Sequence, residues 1–144
     1  LLFHSLLLAV LATLPTIMAA GLILGLMGWI GIPLDIMTIT IAAITVGIGV
    51  HDTIHYLHRF KREINVDGDY WGAVRRCHGS VGRAIYYTSV TVTLGFSILV
   101  LSNFIPTIYF GILTGFAMVV ALIANLTLLP LLIVTFKAVK PTAK

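Results

Sequence analysis

The sequence predicts an all-α fold, a polytopic transmembrane helix bundle with about four complete spans, and three observations favour this fold class. First, 59% of the 144 residues are hydrophobic and only 10% are charged, whereas soluble domains carry about 25% charged residues. Second, the apolar residues form four stretches that approach or exceed the roughly 20 residues that a spanning helix needs. Third, lysine and arginine occur only in two segments, at or beyond the ends of these stretches.

The first half of the chain predicts two spans joined by a tight turn. Residues 1–3 are expected to end an upstream helix, with a turn at residues 4–5. The first complete span is predicted at residues 6–30 and the second at residues 36–60. The short connection between them allows only a helical hairpin, and Asp35 is predicted to cap the second helix at its N-terminus.

The second half predicts a polar segment and two further spans. Residues 61–83 are the only extended polar segment and are expected to form a cytoplasmic loop with an interfacial helix. The third span is predicted at residues 84–102 and the fourth at residues 107–136. The fourth span carries Asn125 and Thr127 among apolar residues, and both are expected to be buried.

Within the polar segment, residues 65–69 have the composition of a loop. Residues 70–77 place apolar side chains on one helical face and Arg75 and Arg76 on the other, which is typical of an interfacial helix. The basic cluster is predicted to set the topology and to contact lipid headgroups.

Several glycines lie at spacings that favour close helix packing, because they remove side-chain bulk where another helix approaches. These candidate packing residues are Gly21, Gly25, Gly47, Gly49, Gly111 and Gly115. They predict contacts on the first, second and fourth spans.

Residues 47–60 place ionisable side chains inside the second apolar span. A charge at the bilayer centre costs at least roughly 2.5–3.5 kcal/mol, so Asp52 is a candidate functional residue. His51 and His55 are four residues apart and share one helical face. The third span is rich in hydroxyls at Thr88, Ser89 and Thr91. These either bond the carbonyls of their own helix or line the same polar spot as Asp52.

The distribution of cations predicts the orientation. Of the nine lysines and arginines, six lie between residues 59 and 83 and three between residues 137 and 144, while the two opposite turns have none. By the positive-inside rule the N-terminal end, the polar segment and the C-terminus are cytoplasmic. The predicted location is the inner (plasma) membrane, and this placement argues against nucleic-acid binding despite the net charge of +4.

Two further features bear on the class of protein. The single cysteine, Cys77, excludes an intrachain disulfide framework and a multi-cysteine metal site. The chain opens inside an apolar run without an initiator methionine, which predicts that it is a fragment.

The region around Asp52 resembles a known family. The run Gly47-x-Gly49-Val50-x-Asp52-x-Ile54-His55, followed by Arg59-Phe60-x-Arg62-Glu63, is similar to the fourth-helix motif of resistance-nodulation-division (RND) exporters. It is most similar to the MMPL-type and hopanoid-exporter-like branch, which also resembles sterol-sensing domains. The likeness extends to residues 33–38, 88–96 and 125–130, so it covers nearly the whole chain.

The resemblance implies proton-driven export of hydrophobic or lipidic substrates by a larger protein. The chain would form about four of the six helices in one half of the transporter, with the tail favouring the C-terminal half. Its partners would be the lipid bilayer, the missing N-terminal half and an extracytoplasmic domain, or other subunits. No enzyme activity, cofactor or metal is implied.

The resemblance also implies a proton relay of Asp52, His51, His55, Thr88, Ser89 and Thr91. Asp52 matches the second of the family's two central acidic positions, whereas His51 occupies the first, where an acid is usual. Burial favours the neutral forms of Asp and His, while pairing them favours the charged forms. Such a pair is able to change protonation within the working pH range.

Two alternatives remain open from the residues themselves. His51-Asp52-x-x-His55, with His58, resembles a single histidine box of membrane di-iron desaturases, although those enzymes need several boxes. The polar residues of a non-transporting membrane anchor would also join helices, because interhelical polar bonds average only about 0.6 kcal/mol and require no functional role.

Overall fold

The computed structural model describes residues 6–137. In this part of the chain the helices are α1 (Leu6–Ile30), α2 (Ile36–Asp67), α3 (Tyr70–Cys77), α4 (Arg83–Ser97) and α5 (Ile105–Phe136). A π-helical turn (His78–Gly82) joins α3 to α4, and a 3-10 turn (Ile98–Leu101) follows α4. The predicted turn at residues 4–5, the upstream helix end and the tail beyond Lys137 lie outside the described residues.

Four helical segments of the described chain are long and apolar enough to cross a membrane. Three are α1, α2 and α5, and the fourth is the continuous rod Tyr70–Leu101, which we call the α3–α4 rod. The residues 6–137 contain helices and turns without strands. The predicted all-α transmembrane bundle is therefore confirmed.

The loop predicted at residues 65–69 is mostly wrong, because α2 continues past Phe60 to Asp67. Two contacts stabilise this extension. Ile64 is fully buried, and Glu63 forms an ion pair with Arg76 of α3. Gly68 then ends the helix in the left-handed conformation, with φ of 72°, which glycine adopts without the cost of a side chain. The connection to α3 is thereby reduced to two residues.

The prediction of a separate interfacial helix at residues 70–77 is also wrong in part. Residues 70–77 are helical, but Ala73, Val74 and Cys77 are buried in a core shared with α2 rather than facing lipid. The helix then runs through the π-turn directly into α4. Arg76 forms ion pairs with Glu63 and Asp67, so this arginine holds α3 against α2 instead of facing away.

Helix α5 is the centre of the bundle, since α1, α2 and α4 all pack against it. Helix α1 also packs against α2, whereas α2 and α4 pack on α5 rather than on each other. One apolar cluster lies toward the end that carries the basic residues, which we call the basic end, and includes Tyr56, Phe60 and Leu129. A second cluster around Ile23 and Met27 lies toward the opposite end, the turn end.

The predicted packing glycines differ in what surrounds them. A Cβ at Gly49 would lie 2.8 Å from Thr16 Cγ2, so α1 and α2 approach closely there. A Cβ at Gly111 would lie 2.6 Å from the Phe96 carbonyl oxygen, and one at Gly115 would lie 3.6 Å from Thr93 Cγ2. At the remaining candidates the position of a Cβ has no atom within 4 Å among the described residues, so these glycines pack against no described helix: Gly21, Gly25 and Gly47.

Asp35 caps α2 as predicted. Its Oδ1 accepts a hydrogen bond from the Thr38 amide at 2.9 Å, while Thr38 Oγ1 accepts one from the Asp35 amide at 2.7 Å. This reciprocal arrangement satisfies two amides that the first helical turn leaves unpaired. We expect Asp35→Ala to lower the free energy of unfolding by about 1 kcal/mol. Asp35→Asn keeps the acceptor and is the control; in bicelle unfolding experiments, equal losses in both variants would contradict the capping role.

Candidate functional site

Asp52 lies at a cavity between α2 and α4. The cavity has a volume of about 260 Å³ and is lined by α2 on one side and by the π-turn and α4 on the other. Asp52 is only 6% exposed. The residues that line the cavity are His51, Asp52, His55, Val81, Ala84, Ile85 and Thr88.

The helical period explains why the acid points inward. One face of α2 carries buried residues at intervals of three or four, which is the spacing that aligns side chains on a helix. These residues are Thr45, Gly49, Asp52 and Tyr56. Within residues 6–137, the Asp52 carboxyl forms no hydrogen bond. Burying an acid without a hydrogen-bonding partner costs free energy of folding. Stability alone therefore does not explain why an acid occupies this position.

His51 and His55 lie beside Asp52 on the more exposed side of α2. Their ring centroids are 4.5 Å apart in an edge-to-face arrangement. Both rings line the cavity, and a proton on either one would attract the Asp52 carboxylate. The site therefore combines one buried acid with two imidazoles that are accessible from outside the described bundle.

The three predicted hydroxyl residues on α4 do not all face Asp52. Thr88 lines the cavity, but its Oγ1 donates to the Ala84 carbonyl at 2.9 Å. Ser89 is buried on the other side of α4, in a separate cavity next to α5, and Thr91 is exposed and lines neither. Successive helical residues differ by about 100° in direction, so Thr88 and Ser89 cannot both face Asp52.

A polar junction joins α2 to α5 next to the site. Thr53 Oγ1 lies 2.8 Å from the Gly49 carbonyl and donates to it, and lies 3.2 Å from Asn125 Oδ1. Asn125 Nδ2 donates to the same carbonyl at 3.4 Å. The predicted burial of Asn125 is confirmed, whereas that of Thr127 is wrong because this residue is exposed.

Tyr56 and His78 were not predicted as site residues. Tyr56 is fully buried one turn beyond Asp52 toward the basic end, and its hydroxyl lies 3.2 Å from His78 Nδ1. A tyrosine four residues after the acid was a visible signal in the sequence. Its histidine partner is 22 residues away, and only the packing of the π-turn against α2 reveals it.

The histidines do not form a metal site in the described chain. Within residues 6–137 no group of three or more His, Cys, Asp or Glu side chains is placed to hold a metal ion. His58 is exposed further along α2 and does not line the cavity that holds His51 and His55. The geometry therefore gives no support to the histidine-box interpretation.

Comparison with known families agrees with this arrangement of helices. The model of the Patched SSD (sterol-sensing domain) family matches residues 1–135. The chain belongs to the Patched SSD family. The specific MMPL or hopanoid-exporter branch is a finer assignment than this match supports. No solved structure matches the chain.

One relative of this Patched SSD chain is a protein of Methanocaldococcus jannaschii that is described as a membrane protein. The two are 30% identical over 132 residues, which is 92% of this chain and 34% of the relative. The Patched SSD chain thus spans about a third of the length of that relative. It is a multi-pass membrane protein whose apolar helices contact the lipid bilayer.

Proposed function

We propose that this chain forms part of the membrane domain of an RND-type exporter that uses the proton-motive force to move hydrophobic or lipidic substrates. The observation that supports this most directly is Asp52, a buried acid without a hydrogen-bonding partner in the described chain, at a cavity between two helices. Membership of a sterol-sensing-domain family favours a lipid-related role. The chain itself carries no enzyme activity and needs no cofactor in this proposal.

The proposed cycle uses protonation of Asp52 to change how α2 and α4 fit together. The charged carboxylate favours an open, hydrated cavity, because a bare charge in an apolar site is costly. Protonation removes that cost and allows the cavity walls to approach. The transmembrane potential adds about 2.3 kcal/mol per elementary charge and 100 mV, so proton entry is able to drive this movement. His51 and His55 modulate the charged state of Asp52.

The proposal includes further helices and an extracytoplasmic domain beyond this chain. The α3–α4 rod is the least covered of the four spans, since only 11% of its 18-residue apolar stretch is buried. His51 and His55 also lie on an exposed side of α2. Polar intramembrane residues normally face the interior of a bundle or a water-filled cavity. We therefore expect the other half of the transporter, or another subunit, to cover this side.

The experiment is transport in proteoliposomes that contain the complete transporter. A fluorescent phospholipid, a fluorescent sterol analogue and a cationic hydrophobic dye serve as probes, with and without an imposed pH gradient. We expect movement of at least one probe that stops when a protonophore collapses the gradient. Transport whose rate is unchanged by the protonophore would contradict proton coupling. Absence of both probe movement and proton flux would instead favour the membrane-anchor alternative.

The orientation gives a separate prediction. With Cys77 replaced by serine, a cysteine introduced at Asn65 at the basic end should be labelled only from the cytoplasmic side of the membrane, because that end carries the cations. The matched control is a cysteine at Asn103 at the turn end, which should be labelled only from outside. Labelling of the first position in intact cells by an impermeant reagent would overturn the assignment.

A further inference from the structure

His78 has an unusual set of partners for a histidine ring. It begins the π-helical turn and lies between α2, α3 and α5. Its Nδ1 is 2.9 Å from the Val74 carbonyl oxygen, and its Nε2 is 2.8 Å from the Leu126 carbonyl oxygen. Both distances are typical of good hydrogen bonds. The nearest polar partner of each ring nitrogen is thus a carbonyl oxygen, which only accepts, and Nδ1 also lies 3.2 Å from the Tyr56 hydroxyl.

The Leu126 carbonyl is available because of a proline. In a regular α-helix this oxygen would accept from the amide of residue 130. Residue 130 is Pro130, inside α5, and proline has no N–H to donate. His78 Nε2 therefore supplies, from the π-turn, the hydrogen bond that α5 lacks. This contact links the α3–α4 rod to the central helix at its proline.

Counting protons on the ring distinguishes two states. A neutral imidazole has one N–H and cannot donate to two carbonyls, whereas the imidazolium has two. In the neutral state with Nε2–H, the Leu126 bond is kept and Nδ1 accepts from the Tyr56 hydroxyl at 3.2 Å. In the charged state Nδ1–H donates to Val74 as well. In that state Nδ1 no longer accepts, so the Tyr56 hydroxyl faces an N–H and is limited to accepting from it.

We infer that His78 is a second proton-binding site of this bundle, formed by the Val74 and Leu126 carbonyls and separate from Asp52. The bound proton adds the hydrogen bond to Val74 while the Leu126 bond remains. Because a charge-assisted hydrogen bond is stronger than a neutral one, the charged ring holds the π-turn more firmly against α5. This inference concerns the α3–α4–α5 junction and holds whether or not the chain transports a substrate.

The surroundings tolerate a charge on the ring. His78 is only partly buried. From α2 the titratable groups on its side are Tyr56, in contact with the ring, and Asp52, one turn away. On its own rod Cys77 is adjacent. An ion cluster of Arg76 from the rod with Arg59, Glu63 and Asp67 from α2 lies toward the basic end. Residues 6–30 of α1 and residues 119–133 of α5 carry no ionisable side chain.

The direct test is nitrogen NMR on the full chain in lipid nanodiscs, with ¹⁵N-labelled histidine and His78 assigned by substitution. At acidic pH we expect both ring nitrogens of His78 to carry protons, because each one faces a carbonyl oxygen. Raising the pH should remove the proton from Nδ1 and leave Nε2 protonated. An Nδ1 that stays unprotonated at every pH at which the protein remains folded would overturn the inference and leave a neutral ring.

A double-substitution cycle tests the link to Pro130. His78→Phe removes both ring nitrogens, and with them the hydrogen bond to the Leu126 carbonyl, and should lower Tm. Pro130→Ala restores the backbone N–H to the Leu126 carbonyl, so the Tm loss caused by His78→Phe should fall to less than about half in that background. Equal losses in both backgrounds would overturn the assigned acceptor. His58→Phe, at an exposed histidine on α2, is the control and should leave Tm unchanged.

Discussion

Asp52→Asn is expected to abolish gradient-driven transport in the complete transporter, to the level of liposomes without protein, while expression and membrane insertion stay normal. Asparagine has nearly the same size as aspartate and keeps its capacity for hydrogen bonds, but it cannot bind and release a proton. The variant therefore removes the ability to exchange a proton and leaves in place the packing of this buried side chain, which is 6% exposed in the wild-type protein. The measurement is probe movement at equal protein density across a range of external pH.

The neighbouring histidines provide the controls for this result. His58→Ala should transport normally, because His58 is exposed and lies outside the Asp52 cavity. His51→Asp, which gives the paired acids that the RND resemblance implies, should retain transport with an altered pH dependence. If Asp52→Asn transports normally and His58→Ala does not, the role assigned to Asp52 is wrong.

Gly111→Ala is expected to destabilise the bundle by about 1–3 kcal/mol, the usual cost of overpacking. The new Cβ would lie 2.6 Å from the Phe96 carbonyl oxygen and 2.9 Å from Leu99 Cβ. The first of these atoms belongs to the backbone near the end of α4, just before the 3-10 turn, so a side-chain rotation cannot relieve the contact. The measurement is the free energy of unfolding in bicelles by steric trapping.

Gly115→Ala is the matched control one turn later on the same helix. Its Cβ would meet Thr93 Cγ2 at 3.6 Å, which is an ordinary van der Waals distance. Because alanine favours a helix over glycine by up to about 1 kcal/mol, this variant should be neutral or slightly more stable. A loss equal to that of Gly111→Ala would contradict the assigned approach between α4 and α5.

The sequence was sufficient to predict the spans because hydropathy and length alone decide them. The predicted bounds of the first span coincide with α1, and Asp35 caps α2 because its acceptor lies three residues before Thr38. The end of α2 could not be predicted in the same way. Residues 61–67 look polar and loop-like alone, but Ile64 and Glu63 become buried only when α3 folds back against them.

The candidate site was predictable where it depends on one helix. Asp52, His51 and His55 are local to α2, so their common location follows from the helical period. The prediction of a combined hydroxyl group on α4 failed for a reason already present in the sequence, since adjacent residues point in different directions. The pairing of Gly111 with Phe96 and of His78 with Leu126 depends on which helices meet, and that information lies in the tertiary packing.

Proton coupling at Asp52 is tested most directly by asking whether its carboxyl takes up and releases a proton in the membrane. Infrared difference spectroscopy on the complete transporter in lipid detects the C=O stretch of a protonated carboxyl as the pH is changed. If Asp52 binds the coupling proton, a band appears and disappears with pH, and it is missing in Asp52→Asn but present in His58→Ala. A spectrum in which Asp52→Asn removes no pH-dependent carboxyl band would contradict it.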